Sequence, residues 1–359
     1  MSAHAYGNSE FQIGDHRVGP GNPCYVIAEA GSNHNRDLGM ALRLIEVAAE
    51  AGADAVKFQT YTAEGLYSRR TPDMTYLKEQ GLVGDSESVW ELIKRVEIPW
   101  EWHADLARHA ANVGIAFFST PFEEAAVDLL ETLDVPAYKI ASYEVNHLPL
   151  IERAARTGKP LLISTGMASL GDIERALDTA AAAGAHDLLV MHCAVNYPPR
   201  FEDLNLRAIT TLRDAFQVPI GWSDHTPGHT ADVVAVALGA CAVEKHFTVS
   251  RDQQGPDHPF ALEPDELRAM VQAIRETEAS LGSSVKRVTE SEAEMYRLGR
   301  RSIVAARDVA AGHTITRDDI AIKRPGFGIP VHDLKRVIGS HAVRALEPDE
   351  VLQWDDLVR

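Results

Sequence analysis

Cysteine is scarce in this chain of 359 residues: Cys24, Cys193 and Cys241 only, each in or beside an apolar run. An odd, scattered set excludes a disulfide framework and reads as buried thiols in a reducing compartment, the cytoplasm. Positive charge is also in deficit. The formal net charge is −17, which argues against nucleic acid and anionic membrane as partners, both being polyanions. It leaves room for a small anionic substrate, because a local group of cations can oppose the global sign. The first ten residues, MSAHAYGNSE, carry neither a basic region nor an apolar core, so no signal peptide is expected. The longest apolar run, near Val233–Val243, is too short and too broken by Gly and Ala to span a bilayer.

What is present is periodicity. Apolar strand-like runs at Tyr25–Ala30, Ala53–Gln59, Ile115–Ser119, Ala137–Ala141, Pro160–Ser164, Leu188–Cys193, Val218–Trp222 and Ala240–Glu244 alternate with amphipathic helices. Glycines at 52, 114, 158 and 184 mark helix ends. A polar insertion from Thr60 to about Ser88 and a helix over Val89–Val96 interrupt the series, and a hairpin arm over Phe11–Val18 precedes it. Eight alternating units predict an α/β fold, a (β/α)8 TIM barrel over residues 1–282. A doubly wound open sheet is the runner-up, but the glycine-rich nucleotide fingerprint is missing after the first strand. A polar linker over 283–297 leads to short β-branched segments at Ser302–Ala306, His313–Thr316, Ile320–Lys323 and Val337–Ala345. They predict a small β-rich domain over 298–359, too small to bury much core by itself.

In a parallel barrel the strand ends open on one face, where active sites are built. Here those ends carry Glu29, Lys57, Gln59, Thr120, Lys139, Ser142, Glu144, Ser223, His225 and His246. Polar groups in such a place are costly unless something satisfies them. Lys57 and Lys139 with the hydroxyls of Thr120, Ser142 and Ser223 make a cradle for a phosphate-bearing anion. The bland reading of either lysine is an ion pair, and Glu144 is a ready partner for Lys139. Glu29 and Glu144 can handle protons or bind sugar hydroxyls. Two neutral imidazoles, His225 and His246, suit a divalent transition metal, or else each caps a strand. Together these parts suggest carbon–carbon bond formation between a phosphorylated enol and an aldehyde. A metallohydrolase shares some of them but usually recruits more His and Asp ligands.

The ordered runs IAEAGSNHN, GADAVKFQT, FFSTPF, AYKIAS, STGMA, HCAVNYP, GWSDHT, VEKHFT and GPDH resemble the sialic acid synthase family of bacterial nonulosonate synthases. The match covers about residues 10–359, with a C-terminal SAF (antifreeze-like) domain. The resemblance implies condensation of phosphoenolpyruvate with an open-chain N-acyl hexosamine, either N-acetylmannosamine or a 2,4-diacetamido-6-deoxyhexose. The products are a nine-carbon 2-keto sugar acid and phosphate. It implies that Lys57, Thr120, Lys139, Ser142, Ser223 and Asn196 hold phosphoenolpyruvate. It gives a divalent ion, Mn2+ ahead of Mg2+ or Co2+, to His225 and His246. Glu29, Gln59, Glu144, Tyr197 and Asp257 then contact the sugar, with Glu29 first in line for proton handling. The segment IKRPGFG makes Arg324 the arginine that the SAF domain brings to the sugar, and a domain-swapped homodimer is implied. Two departures stand out: Val195 occupies the place of a family Asn, with Asn196 one residue later, and Leu298 replaces an aromatic residue. Another phosphoenolpyruvate-condensing barrel enzyme, and a SAF-domain binding protein without catalysis, are the competing readings.

Overall fold

The computed structural model describes residues 6–72 and 87–359. Residues 73–86, the middle of the expected polar insertion, and the first five residues lie outside the described residues. The chain divides into two compact units, Met1–Gly282 and Ser283–Arg359.

The first unit is a closed barrel of eight parallel strands. A hairpin of β1 (Phe11–Ile13) and β2 (His16–Val18) precedes it, and its Phe11, Ile13 and Val18 join the barrel's own hydrophobic core. The barrel strands are β3 (Tyr25–Glu29), β4 (Ala55–Thr60), β5 (Ala116–Pro121), β6 (Tyr138–Ile140), β7 (Leu161–Ser164), β8 (Leu188–Cys193), β9 (Ile220–Asp224) and β10 (Ala242–His246). Each pairs with the next, and β10 closes on β3 with His246 in register with Glu29.

Helices fill the outer layer because their apolar residues recur at three- and four-residue spacing. Leu38–Ala51 buries Ala41, Leu44, Ile45, Ala48 and Ala51. Asp37 caps its start by accepting the Met40 N–H, and Gly52 ends it at φ 82°, a left-handed conformation that favours glycine. No helix among the described residues is long and apolar enough to cross a membrane. All three cysteines are buried and free.

Two strands lie further along the chain than the sequence suggests. Val218–Trp222 was expected and Ile220–Asp224 is found; Ala240–Glu244 was expected and Ala242–His246 is found. Ser223, Asp224, Lys245 and His246 look like loop residues by polarity. Their backbones nevertheless stay in the ladder, and the side chains of Ser223, Asp224 and Lys245 find partners within the fold. His246 is therefore built into the sheet and does not hang beyond it.

The second unit pairs β11 (Ser302–Ala305) with β12 (Ile320–Lys323), and β13 (His341–Ala342) with β14 (Leu357–Val358). The strand expected at His313–Thr316 is reduced to a bridge between Thr314 and His341. Of the strand expected at Val337–Ala345, only His341–Ala342 forms, Val337 being the end of a helical turn, Leu334–Val337; the linker stretch carries a short helix, Ala293–Leu298. The unit is an internal duplication. Arg307 Nε donates to Asp319 Oδ1 at 2.8 Å, and Arg344 Nε donates to Asp356 Oδ1 at 2.8 Å. The Thr316 N–H reaches Asp319 Oδ2 at 2.7 Å, as the Gln353 N–H reaches Asp356 Oδ2 at 2.8 Å. The halves meet where Val309 and Leu346 exchange two backbone hydrogen bonds of 2.9 Å.

Candidate active site

Alternation along a strand decides which side chains enter the barrel mouth. On β4 it turns Lys57 and Gln59 inward and Phe58 out into the core; on β10 it turns Glu244 and His246 inward. A narrow cavity of 60 Å³ results, lined by Glu29, Lys57, Thr120, Lys139, Ser142, Ser164, Cys193, Ser223, His225 and Glu244 among others. A chamber of 270 Å³ adjoins it and shares Gln59, Tyr143, Tyr197 and His246 with it.

The two lysines share one carboxylate that sequence reasoning did not single out. Glu244 Oε2 lies 3.7 Å from Lys57 Nζ, and Glu244 Oε1 lies 3.6 Å from Lys139 Nζ. Ser223 Oγ donates to Glu244 Oε1 at 3.1 Å. Lys57 also pairs with Glu29 Oε2 at 2.8 Å and donates to Thr120 Oγ1 at 2.8 Å, while Lys139 donates to Ser164 Oγ at 2.6 Å. An ammonium has three donors, so Lys139 keeps more of its capacity for an incoming anion than Lys57 does. Burial pulls Lys57 down, but Glu244 and Glu29 outweigh it and the ammonium is stabilised. Burial also pulls Lys139 down; Glu244 only partly offsets this, Lys57 adds to it, and the net shift is downward. For Glu244 burial favours the neutral acid, yet Lys139 and Lys57 prevail and keep it ionised. The sequence carried a signal for Glu244: it sits two residues before His246, on the same face of the strand.

Glu144, expected as a sugar contact or a partner for Lys139, feels Lys139 only electrostatically, the lysine's ion pair being with Glu244. Glu144 does not line either cavity. It is buried in the turn after β6 with Oε2 unpartnered, and burial, only partly countered by Lys139, pushes its carboxyl up to about 8.

The imidazoles of His225 and His246 stand 5.2 Å apart, centroid to centroid. Phe260 packs 5.2 Å from His246 and Tyr197 lies edge-on 4.4 Å from His225. His225 Nδ1 is 3.0 Å from the Ala194 carbonyl, so Nδ1 carries the proton and Nε2 the free lone pair. Burial and the neighbouring His246 hold His225 well below its ordinary pKa, hence neutral. His246 Nδ1 is buried without a hydrogen-bond partner. A neutral His225 imidazole with a free Nε2 lone pair, beside a second ring whose Nδ1 has no hydrogen-bond partner, fits a divalent ion. No group of three or more His, Cys, Asp or Glu among the described residues forms a closed cage. An ion here would complete its shell with water or substrate, as catalytic sites do.

Of the expected sugar contacts, Gln59, Tyr197 and Asp257 line the chamber. Glu29 is fixed by Lys57 and by Gln59 Nε2, which donates at 2.7 Å. Asp257 accepts from Ser32 N and Oγ, both at 2.9 Å, and lies 3.8 Å from His246 Nδ1. Gly31, at φ 50°, makes this approach possible: a Cβ there would sit 2.5 Å from Asp257 Oδ2 and 3.1 Å from His246 Nδ1.

Asn196 does not join the lysines. It is exposed on the loop past β8 and lines the outer chamber, because Val195 turns its own side chain inward against Gly166. Arg324 belongs to the second unit, where its Nε donates to the Gly299 carbonyl at 2.6 Å.

A closed (β/α)8 barrel with a lysine-lined pocket beside paired imidazoles, followed in the chain by a small duplicated β unit, defines a class of barrel enzyme. The NeuB family matches residues 44–286, and the SAF domain matches residues 300–358. This chain belongs to the NeuB family. It is 39% identical to the N,N'-diacetyllegionaminic acid synthase of Legionella pneumophila, over 93% of this chain and 94% of that protein. It is 35% identical to the pseudaminic acid synthase of Helicobacter pylori, over 94% of this chain and 98% of that one. The crystal structure of N-acetylneuraminic acid synthetase from Leptospira borgpetersenii, in complex with citrate, superposes with a TM-score of 0.72 at 35% identity. It covers 81% of this chain and 96% of the other.

Proposed function

We propose that the protein condenses phosphoenolpyruvate with an open-chain N-acyl hexosamine to give a nine-carbon 2-keto sugar acid and phosphate. The observation that carries this reading is the pair of buried lysines bracketing Glu244 opposite the imidazoles of His225 and His246. Lys139, with Lys57, Thr120, Ser142 and Ser223, binds and orients the phosphate and carboxylate of phosphoenolpyruvate. Gln59, Tyr197 and Asp257 hold the sugar in the chamber so that its aldehyde carbon meets C3 of the enol. Glu29, held still by Lys57 and Gln59, is the carboxylate placed to take a proton from the water that adds at C2 as phosphate departs. His225 and His246 would hold a divalent ion, Mn2+ ahead of Mg2+ or Co2+, which would supply Lewis-acid polarisation of the sugar carbonyl.

The far wall of the chamber supports one acceptor over the other. Val89, Leu92, Ile93 and Val96 line it, together with Tyr61 and Tyr67. A 2,4-diacetamido-6-deoxyhexose offers two acetyl methyls and a C6 methyl to such a wall, whereas N-acetylmannosamine offers one acetyl methyl and has hydroxyls at C4 and C6. The test is phosphate release from phosphoenolpyruvate with Mn2+ across a panel of N-acyl hexosamines. No turnover with any sugar defeats the reading; turnover preferring N-acetylmannosamine defeats only the acceptor assignment.

The homodimer belongs to the same reading, with the second unit of one copy meeting the barrel of another and supplying Arg324. Exposed Met295, Tyr296 and Phe327 in that unit support an intermolecular role. Mixing an Arg324→Ala chain with a His225→Ala chain is expected to restore turnover that neither has alone.

A further inference from the structure

Behind the two imidazoles lies a group of charges that the barrel mouth does not use. β9 and β10 pair so that Asp224 stands opposite Lys245. The alternation that turns Glu244 and His246 inward turns these two outward, towards the helix Thr230–Ala237. Lys245 Nζ donates to Asp224 Oδ2 and, at 2.6 Å, to the Thr226 carbonyl. Thr226 returns two bonds to Asp224, its N–H to Oδ1 at 3.0 Å and its Oγ1 to Oδ2 at 2.9 Å. Asp232, in the first turn of the helix, brings Oδ2 to 3.7 Å from the same ammonium. None of the four side chains is more than 1% exposed.

Taking these charges out of water is expensive, and apolar replacements of buried ion pairs are often just as stable. Fold stability is therefore a poor reason for the cluster. Its place in the chain offers a better one. Asp224 and Thr226 flank His225, and Lys245 immediately precedes His246. The ring of bonds thus ties the backbone on both sides of one imidazole to the residue before the other. With no third protein ligand converging among the described residues, the spacing of two rings is all the protein contributes to an ion's geometry.

We infer that Asp224, Thr226 and Lys245, backed by Asp232, are positioning residues that hold the His225 and His246 rings side by side, 5.2 Å apart centroid to centroid, for one divalent ion. The inference rests on reading the imidazole pair as a metal site, and its test separates the two. The full chain is titrated with Mn2+, free ion being followed by electron paramagnetic resonance, in wild type, Thr226→Val and the double variant Asp224→Asn/Lys245→Met. Thr226→Val removes one hydroxyl at nearly constant volume; the double variant removes both members of the Asp224–Lys245 ion pair together. Both are expected to bind Mn2+ about 10–100-fold more weakly, the usual range for residues that orient metal ligands. Melting temperatures should stay within a few degrees of wild type. Phosphate release should recover as Mn2+ is raised, with KM for phosphoenolpyruvate unchanged. If the double variant does not fold, Thr226→Val decides the matter alone. Wild-type Mn2+ affinity in the folded variants overturns the positioning role and leaves the metal reading standing. Turnover that stays low at saturating Mn2+ also overturns it, and a wild type that binds no Mn2+ overturns both.

Discussion

Lys139 Nζ lies 3.6 Å from Glu244 Oε1, deep in the barrel mouth where both side chains are almost wholly buried. Glu244 thereby neutralises the cation best placed to take an anion, and the two partners should respond oppositely to substitution. Lys139→Met is expected to raise KM for phosphoenolpyruvate at least tenfold, because a charge-assisted bond contributes about 1.5–3 kcal/mol. Glu244→Gln should tighten binding of citrate or phosphate while lowering the melting temperature, since it leaves Lys139 without its carboxylate and Lys57 with Glu29 alone. Calorimetric titration beside thermal unfolding checks both; a Glu244→Gln protein that binds anions more weakly would contradict this account.

Glu144 makes stability depend on pH. Burial raises its folded-state pKa to about 8, above its ordinary value of 4.5. The folded state then holds a proton that the unfolded chain has released. Its contribution is complete below about pH 4.5 and is lost as pH rises towards and through 8. Glu144→Gln should match wild type near pH 5 and exceed it at pH 9, by on the order of a few kcal/mol. Denaturant unfolding at the two pH values reads the difference directly.

The His225 ring bonds the Ala194 carbonyl at 3.0 Å and makes a weak contact with Cys193 Sγ at 3.9 Å, so its removal should spare the fold. His225→Ala is expected to keep a melting temperature within a few degrees of wild type and to lose Mn2+ binding by about 100-fold or more. Chelation followed by Mn2+ should restore turnover in the wild type and not in the variant.

In the second unit Asp319 and Asp356 occupy equivalent places, but Asp319 holds an additional partner, His313 Nε2 at 3.0 Å. Asp356→Ala should weaken that unit by roughly 2 kcal/mol, and Asp319→Ala by more, hydrogen bonds to charged groups being worth about 1.5–3 kcal/mol each. Hydrogen exchange over residues 302–358 of the full chain measures each loss.

The barrel was legible because apolar periodicity and helix-stop glycines are local signals, and the eight strands appear in the expected order. The ends of β9 and β10 were not, since Asp224 and Lys245 read as loop charges until their partners across the strands are known. Glu244 was given no role for a related reason: neighbours in a strand face opposite ways, and which of Glu244 and Lys245 enters the mouth depends on the register. The duplication in the second unit went unread because its repeated features are an arginine, an aspartate and a bridging backbone, not a run of β-branched residues. The chamber's apolar wall comes from a helix separated from its strand by a polar insertion, a distance that no local pattern spans.

The pairing of His246 with Glu29 across the seam of the barrel has one more implication. Because successive side chains face opposite sides, losing a single codon just before Glu244 would swing Lys245 into the mouth and send both acid and imidazole into the helical layer. For this molecule chain length between the last two strands is itself a chemical specification: a deletion that touches no reactive atom would erase the anion pocket and the imidazole pair in one stroke.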